Sequence, residues 1–394
     1  MMKKMKLSEQ IIKNAVVFPF GALQGIYNEN GDRILGQTQN YKANFKGKIQ
    51  FIDEKVVFLG FFRAHHGHFI TEELARLWWV LQNTAHHKFI YSRLHSKEFS
   101  AFERFILDFF NLNERNLMPI TKPTKFAQIT VPDDSFWNEN GIEMHKKMID
   151  FITSKITPVK SQALYLSRRR FDKARSLEFG EEYFEQIYAK KGYKIVYPET
   201  LSPSEQLALW GGGFKFACVG GTLPHNMIFA PYGSELEIVL KTSFPNGFQS
   251  IVDTIKQLKT KRIDAYIELF GVDAGRGPFL FLPQNLTMSK DSLHSIANNI
   301  RQYLTEYKKD LAANRLLQKP TQTQLNESFL NFKARIKQVN NELFEVLSQE
   351  FKAFERFLRL YFFSPKLAWW FFRVRYFPSI VAKEFRRTLK RVFK

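Results

Sequence analysis

The sequence holds little that would cross-link the chain or carry it through a membrane. Its 394 residues include one cysteine, so no intramolecular disulfide is possible. This residue, Cys218, lies in an apolar run and is expected to be a small core residue. No apolar run approaches the roughly 20 residues that a membrane-spanning helix requires. The basic first residues lead into no long apolar segment, so we expect no signal peptide. These absences favour a cytoplasmic protein.

Positive charge and aromatic side chains are, by contrast, abundant. The formal net charge is +20. Residues 351–394 hold 12 Lys or Arg and 2 Glu, so this segment has a net charge of +10, half of the total. Apolar and cationic residues take different sides of a helix near the end of the chain, the pattern of an interfacial helix on an anionic membrane. The alternative is that this tail packs onto the protein or a partner chain. The residues expected at the membrane are Trp369, Trp370, Phe385, Arg386, Arg387 and Lys390.

Hydrophobic periodicity divides the chain into an α/β fold with a helical tail. Strands alternate with helices after a linker at 157–162, and this spacing predicts a parallel sheet. In such sheets ligands bind beyond the carboxyl ends of the strands. We expect an N-terminal domain at 1–157, a second domain at 158–312 and a membrane-interfacial tail at 313–394. Predicted helices cover 72–82, 99–112, 143–156, 181–191, 203–210 and 289–311, and predicted strands cover 126–131, 164–166, 194–197, 214–219, 234–240 and 279–282.

A glycine turn follows one of these buried strands. Gly220 and Gly221 permit a tight turn and a close approach to a ligand, and Thr222 leads into a short helix. Pro224 suits the first turn of that helix, whose free N–H groups favour phosphate. The next strand carries Glu237 among apolar residues, where a carboxylate needs a partner such as a pair of ribose hydroxyls.

Two polar residues in the same short helix have two interpretations each. Asn226 is either a turn residue or a hydrogen-bond partner of a phosphate or sugar hydroxyl. His225, beside it, is open to the same alternatives.

A cationic loop follows the strand at 164–166. Guanidinium groups form paired, charge-assisted bonds with diphosphate oxygens, although the loop is open to interpretation as a solvated charge run. Adjacent arginines cannot all face one ligand, so Arg168 and Arg175 are preferred, with Arg170 as a further candidate.

A histidine-rich segment precedes the first predicted helix. His65, His66 and His68 have the wrong spacing for one helical face, and no acidic or cysteine partner stands out, so we expect no metal there. Glu72 lies four residues after His68, within reach if the segment is helical. Such a carboxylate orients an imidazole and raises its basicity. His68 is therefore open to interpretation as a surface or core histidine, as a residue that binds an acceptor, or as a general base, and Glu72 is the alternative candidate for the base.

Taken in chain order, from the histidine-rich segment through the cationic loop to the glycine turn, the three motifs resemble glycosyltransferase family 61, over roughly residues 55–245. The resemblance also includes Glu205-Gln206, which open a helix in a capping box with Ser202. There are two departures from the family pattern. Gly220-Gly221-Thr222 stands where the family often has His-Gly-Ala, and Gly180-Glu181 stands where it often has Asn-Glu.

The resemblance implies a GT-B architecture, in which two Rossmann-like domains face a cleft. Residues 1–157 would then be the acceptor-side domain and residues 158–312 the domain that binds the nucleotide sugar. It implies a hexosyl- or pentosyltransferase that inverts the anomeric carbon, with a nucleotide sugar as substrate and neither metal nor cofactor. The acceptor would be a saccharide or lipid-linked glycan in capsule or exopolysaccharide synthesis. The tail would hold the enzyme at the inner face of the plasma membrane.

Two other classes of function remain open from the sequence. A basic nucleic-acid-binding protein would have the same net charge, but the amphipathic order of the tail argues against it, so no nucleic acid is expected as partner. An inactive membrane scaffold that keeps a transferase fold is the other alternative.

Overall fold

The structure, a computed structural model, describes residues 7–36, 49–83, 87–94, 98–161, 163–171, 177–243, 246–273, 275–283 and 289–368. The chain divides into two compact units, each assembled from three stretches. The first unit comprises Met1–Arg168, Gly192–Ile238 and Pro245–Lys261. The second comprises Arg169–Lys191, Val239–Phe244 and Arg262–Lys394.

Strands and helices together make a mixed α/β protein, as the sequence predicts. The strands are β1 Glu9–Lys13, β2 Val16–Phe18, β3 Gly25–Tyr27, β4 Arg33–Gly36, β5 Gln50–Arg63, β6 Lys88–Leu94, β7 Leu117–Pro119, β8 Thr124–Pro132, β9 Leu164–Leu166, β10 Glu178–Phe179, β11 Lys194–Val196, β12 Lys215–Val219, β13 Glu235–Val239, β14 Lys259–Ile263, β15 Tyr266–Ile267 and β16 Phe279–Phe281. The α-helices are α1 His66–His68, α2 Trp78–Gln82, α3 Ala101–Phe109, α4 Ile142–Ser154, α5 Glu181–Lys190, α6 Pro203–Gly212, α7 Gly247–Lys256, α8 Lys290–Ala312, α9 Gln322–Val339, α10 Asn341–Val346 and α11 Ser348–Phe363.

A large mixed sheet occupies the N-terminal part of the first unit. Its strand order is β4-β3-β2-β8-β5-β6-β7, and β1 also pairs with β8. The long strand β5 runs parallel to β8 and β6, whereas β2 and β1 pair with β8 in the antiparallel sense. Val56, Phe58, Ile90, Phe126 and Ile129 form part of its buried core. This core fixes the end of β5, from which the histidine-rich segment emerges.

The predicted parallel sheet is confirmed. Its order is β11-β9-β12-β13-β14, and β9 pairs in parallel with both β11 and β12. Leu166 lies opposite Cys218 across the β9–β12 pair. Arg168 and Gly220 each follow two residues later, so both lie at the same carboxyl edge. Cys218 itself is fully buried, as expected of a core residue.

The second unit combines a small sheet with long helices. β16 is its central strand, parallel to β10 and antiparallel to β15. Aromatic rings pack α8, α9 and α11 together: Tyr303 stacks on Phe332 at 5.7 Å between centroids, and Phe329 lies 4.5 Å from Phe354. Much of the high phenylalanine content is therefore core.

The predicted start of helix α6 is confirmed. The side chain of Ser202 accepts the backbone N–H of Glu205, and the Glu205 carboxylate accepts the N–H of Ser202, which completes the capping box. Gln206 Nε2 donates to the carbonyl of Pro198 at 2.9 Å. The Glu205-Gln206 pair therefore holds the start of α6.

One predicted helix is wrong in form. The sequence predicts a single helix over 72–82, but the chain makes a π-helical turn at Phe69–Glu73, a 3-10 turn at Leu74–Arg76 and then α2. Thr71 Oγ1 donates to the carbonyl of Gly67 at 2.7 Å, and such side-chain bonds compete with regular helix geometry. The short helix after the glycine turn is likewise a 3-10 helix, Leu223–Phe229.

Within the described ranges, no helix has both the length and the apolar character needed to cross a membrane. The residues of the predicted membrane tail, from Trp369 onward, lie outside the described part of the chain, as does Arg175.

Candidate functional site

The histidine segment, defined here as residues 63–73, leaves the end of β5 and folds back at once. His68 Nδ1 lies 2.8 Å from Glu72 Oε1, which confirms the contact predicted from their spacing. Arg63 Nη1 lies 3.5 Å from the same carboxylate oxygen and 3.4 Å from His68 Nε2. Imidazole, carboxylate and guanidinium thus form a compact polar cluster.

The Glu72 carboxylate is held in its charged form. Partial burial opposes ionisation, but hydrogen bonds from His68 and from the indole of Trp137, together with the charges of His68 and Arg63, outweigh burial and lower the pKa of Glu72. Trp137 Nε1 donates to Glu72 Oε2 at 3.2 Å, so both carboxylate oxygens have partners. The group is therefore an anion at neutral pH.

The glycine turn meets the histidine segment within the first unit. Gly221 has φ of 111°, a conformation that favours glycine. A Cβ on Gly67 would lie 3.0 Å from Thr222 Cγ2, tighter than ordinary van der Waals contact, so glycine at 67 permits this close approach. Two motifs about 150 residues apart in sequence therefore pack against each other.

A buried hydrogen bond joins the same two segments. His66 Nε2 lies 2.9 Å from Asn226 Oδ1, and Asn226 Nδ2 donates to the carbonyl of Leu223. Because that amide nitrogen is used, Oδ1 accepts from the imidazole. Burial lowers the pKa of His66, against the opposing effects of Asn226 and Glu103, so the ring is neutral. Sequence reasoning did not foresee this pair, because nothing local links residues 66 and 226.

His225 is held from both ring nitrogens. Its Nδ1 lies 2.9 Å from Gln249 Oε1, and its Nε2 lies 3.4 Å from Asn246 Nδ2. Burial lowers its pKa to about 4, since the hydrogen bond to Gln249 only partly compensates. His225 is therefore neutral and fixes the start of α7 against the 3-10 helix.

Aromatic side chains that the sequence did not single out complete the surroundings of His68. Phe248, in the first turn of α7, has its ring centroid 5.4 Å from that of His68 and 4.9 Å from that of Trp137. Trp137 follows the end of β8. An aromatic residue after the carboxyl end of a strand was the signal that could have identified it.

A buried acid lies next to Glu72 in the chain. Glu73 accepts the backbone N–H of Arg63 through Oε1, and its Oε2 is buried without a hydrogen-bond partner. Burial, reinforced by the nearby Glu103 charge, raises the pKa of Glu73 to about 9. Glu103 itself pairs with Arg93 at 2.8 Å. Glu72 and Glu73 therefore differ in charge at neutral pH.

The remaining predicted donor residues lie within or just after strands β9, β12 and β13. Half-buried Arg168 follows β9 in the first unit, and exposed Arg170 belongs to the second unit. Gly220 is buried at the end of β12, and half-buried Glu237 lies within β13. Within the described ranges, no three His, Cys, Asp or Glu side chains converge to hold a metal ion.

A separate cavity of about 510 Å³ opens near the start of β13, the opposite end from the glycine turn. Tyr232, whose hydroxyl donates to Asp150 at 3.1 Å, and Lys256 are among its lining residues. Burial lowers the pKa of Lys256 to about 8. None of the residues of the histidine segment lines this cavity, so we treat it as distinct from the candidate site.

Comparison with known protein families identifies the class. The family model Glycosyltransferase 61 matches residues 66–236, a span that begins in the histidine segment and ends in β13. This match supports membership of glycosyltransferase family 61, as the sequence motifs suggest, and the matched region is that of a glycosyltransferase. No curated protein matches the chain.

Proposed function

We propose that this glycosyltransferase moves a hexose or pentose from a nucleotide sugar to a saccharide or lipid-linked acceptor, with inversion and without a bound metal. The observation that carries the proposal is the junction of two motifs. The histidine segment, which holds the His68–Glu72 pair, approaches the glycine turn at Gly67 and Thr222, and that turn shares the carboxyl edge of a parallel sheet with Arg168. Family membership adds the expectation of a GT-B arrangement.

On the acceptor side, His68 is the better candidate for the base. Glu72 is an anion beside Nδ1 of the imidazole, and Nε2 takes the proton of the acceptor hydroxyl once that hydroxyl replaces Arg63 as its partner. The carboxylate then stabilises the imidazolium that forms. The hydroxyl would enter beside Arg63, whose guanidinium lies 3.4 Å from Nε2.

On the donor side, the acceptor oxygen attacks the anomeric carbon while the bond to the diphosphate breaks. The leaving diphosphate takes the bonding electron pair, so negative charge develops on its oxygens. Arg168 and the backbone amides after Gly221 would stabilise that charge. A single displacement inverts the anomeric carbon.

The wider role remains part of the proposal. The basic, aromatic tail would hold the enzyme peripherally at the inner membrane face, where surface polysaccharides are assembled on lipid carriers. No cofactor is required, because the nucleotide sugar carries the activation.

The first experiment identifies the donor. We expect one member of a panel of nucleoside diphosphates to raise the melting temperature, because it binds the native state only. Arg168→Ala should abolish that protection. Arg115→Ala removes an exposed guanidinium in a distant turn and should leave it intact. A panel without any stabilising nucleotide would contradict the proposal.

The second experiment tests the chemistry. With the identified donor, His68→Asn and Glu72→Gln should each lower turnover by about 100-fold or more, a loss typical of removing acid–base groups. Both should keep nucleotide protection. Full turnover in His68→Asn would show that another group is the base. The absence of turnover in the unmodified chain would favour an inactive scaffold.

A further inference from the structure

Trp137 occupies an unusual position for a large apolar side chain. Its side chain is 50% exposed, yet its indole N–H donates to the Glu72 carboxylate at 3.2 Å. Leaving an aromatic ring in water forgoes much of the free energy of burial. A ring kept exposed beside a candidate catalytic pair points to an interaction with a ligand.

The ring is also held rigidly. Asp134 Oδ1 accepts the backbone N–H groups of Phe136 and Trp137 at 2.8 and 3.0 Å, which fixes the loop. Phe136 and Phe248 contact the indole in T-shaped geometry, with centroids 5.4 and 4.9 Å away. The exposed part of the ring therefore needs little ordering when a ligand binds, which favours affinity.

The chemistry beside the ring selects the ligand. A pyranose has one face of C–H groups, which packs on the electron-rich face of an aromatic ring, and a rim of hydroxyls that requires polar partners. Trp137 supplies the aromatic surface, while Glu72, His68 and Arg63 supply the polar partners. A lipid chain would leave those charged groups without partners.

We propose that Trp137, supported by Phe248, is the platform on which the acceptor's sugar ring stacks, so that the acceptor is a pyranoside. This inference rests on the proposed function, because it assigns the acceptor side of the same site. In this position Trp137 has two separable roles. Its ring binds the acceptor, and its N–H positions the Glu72 carboxylate.

Saturation-transfer NMR on the full chain tests the platform. The probes are methyl pyranosides of glucose, galactose, N-acetylglucosamine and rhamnose. At least one should receive saturation mainly on the C–H groups of one ring face. Trp137→Ala should reduce that signal by about fivefold or more, since a ring stacked in a site carries much of the contact. Phe51→Ala, which removes a similarly exposed ring at the far end of β5, should leave it unchanged.

A second variant separates the two roles. Trp137→Phe keeps an aromatic face but loses the N–H to Glu72, so we expect the saturation signal to persist while turnover falls and acceptor KM stays nearly constant. Should Trp137→Ala fail to fold, Trp137→Leu replaces it, since leucine is apolar but lacks an aromatic face.

Three outcomes would overturn the inference. One is the absence of saturation transfer to all four pyranosides. Another is an unchanged signal in the folded Ala or Leu variant. The third is loss of nucleoside diphosphate protection in that variant, which would assign the ring to the donor's base. Protection of the unmodified chain by a nucleotide tests the proposed function separately, so failure of the platform would not be confused with failure of that function.

Discussion

At the scale of single residues, the adjacent side chains of Glu72 and Glu73 have different charges at neutral pH. Glu72 is kept as an anion by His68, Trp137 and Arg63, whereas burial keeps Glu73 protonated. The sequence could predict the first contact, because a spacing of four residues is a local rule. It could not predict the second environment, because the burial of Glu73 depends on the packing of distant segments.

The protonated state of Glu73 has a consequence for stability. Its pKa is about 9 in the folded chain against an ordinary 4.5, so between these values the native state holds a proton that the unfolded state has lost. The contribution of Glu73 to the unfolding free energy is complete below pH 4.5 and is lost as pH rises toward 9. Between these two pH values, Glu73 makes the unfolding free energy fall by about 1.4 kcal/mol per pH unit.

Glu73→Gln should remove that slope. Glutamine retains an oxygen to accept the Arg63 N–H but does not ionise. Urea unfolding between about pH 6 and pH 8 should show a smaller fall in unfolding free energy than in the parent chain. Glu114→Gln, at a side chain that is 94% exposed, is the control and should follow the parent. Parallel curves for parent and Glu73→Gln would refute the assignment.

At the scale of elements, the site depends on where the histidine segment and the glycine turn meet. The sequence predicted strand β9, the capping box of α6 and the parallel sheet, since each follows from local pattern. It predicted a regular helix where the chain makes π and 3-10 turns. These irregular turns contain the local Thr71–Gly67 bond and are joined to the rest of the unit by tertiary contacts such as His66–Asn226, which no local pattern encodes.

The Gly67–Thr222 approach can be tested by compensating changes. Gly67→Ala places a methyl group 3.0 Å from Thr222 Cγ2 and should cost about 1–2 kcal/mol by overpacking. Thr222→Ser deletes that Cγ2 atom. We expect the double variant to recover at least half of the loss in unfolding free energy. Strictly additive effects would mean that the two segments are not coupled.

At the scale of the whole molecule, the predicted tail carries the proposal of membrane attachment. Arg386, Arg387 and Lys390 changed together to Glu should release the full-length protein from vesicles containing phosphatidylglycerol, because each cation contributes about 1 kcal/mol at such a surface. Co-sedimentation measures the bound fraction.

The matched control changes Lys122, Lys160 and Lys290 to Glu, three exposed lysines outside the tail with the same total change in charge. This variant should still sediment with the vesicles. Equal loss in both variants would show that net charge, rather than the tail, determines binding. The predicted three-part division of the chain remains a sequence-based prediction.

The first unit takes its residues from three separate stretches, and the contacts of the candidate site lie within it. Trimming either end therefore cannot isolate the unit. A fragment that stops at Lys261 would still contain two segments of the second unit, 169–191 and 239–244, without the rest of that unit. A minimal enzyme would need two internal splices, joining Arg168 to Gly192 and Ile238 to Pro245. The first splice point falls on the arginine proposed to hold the leaving group.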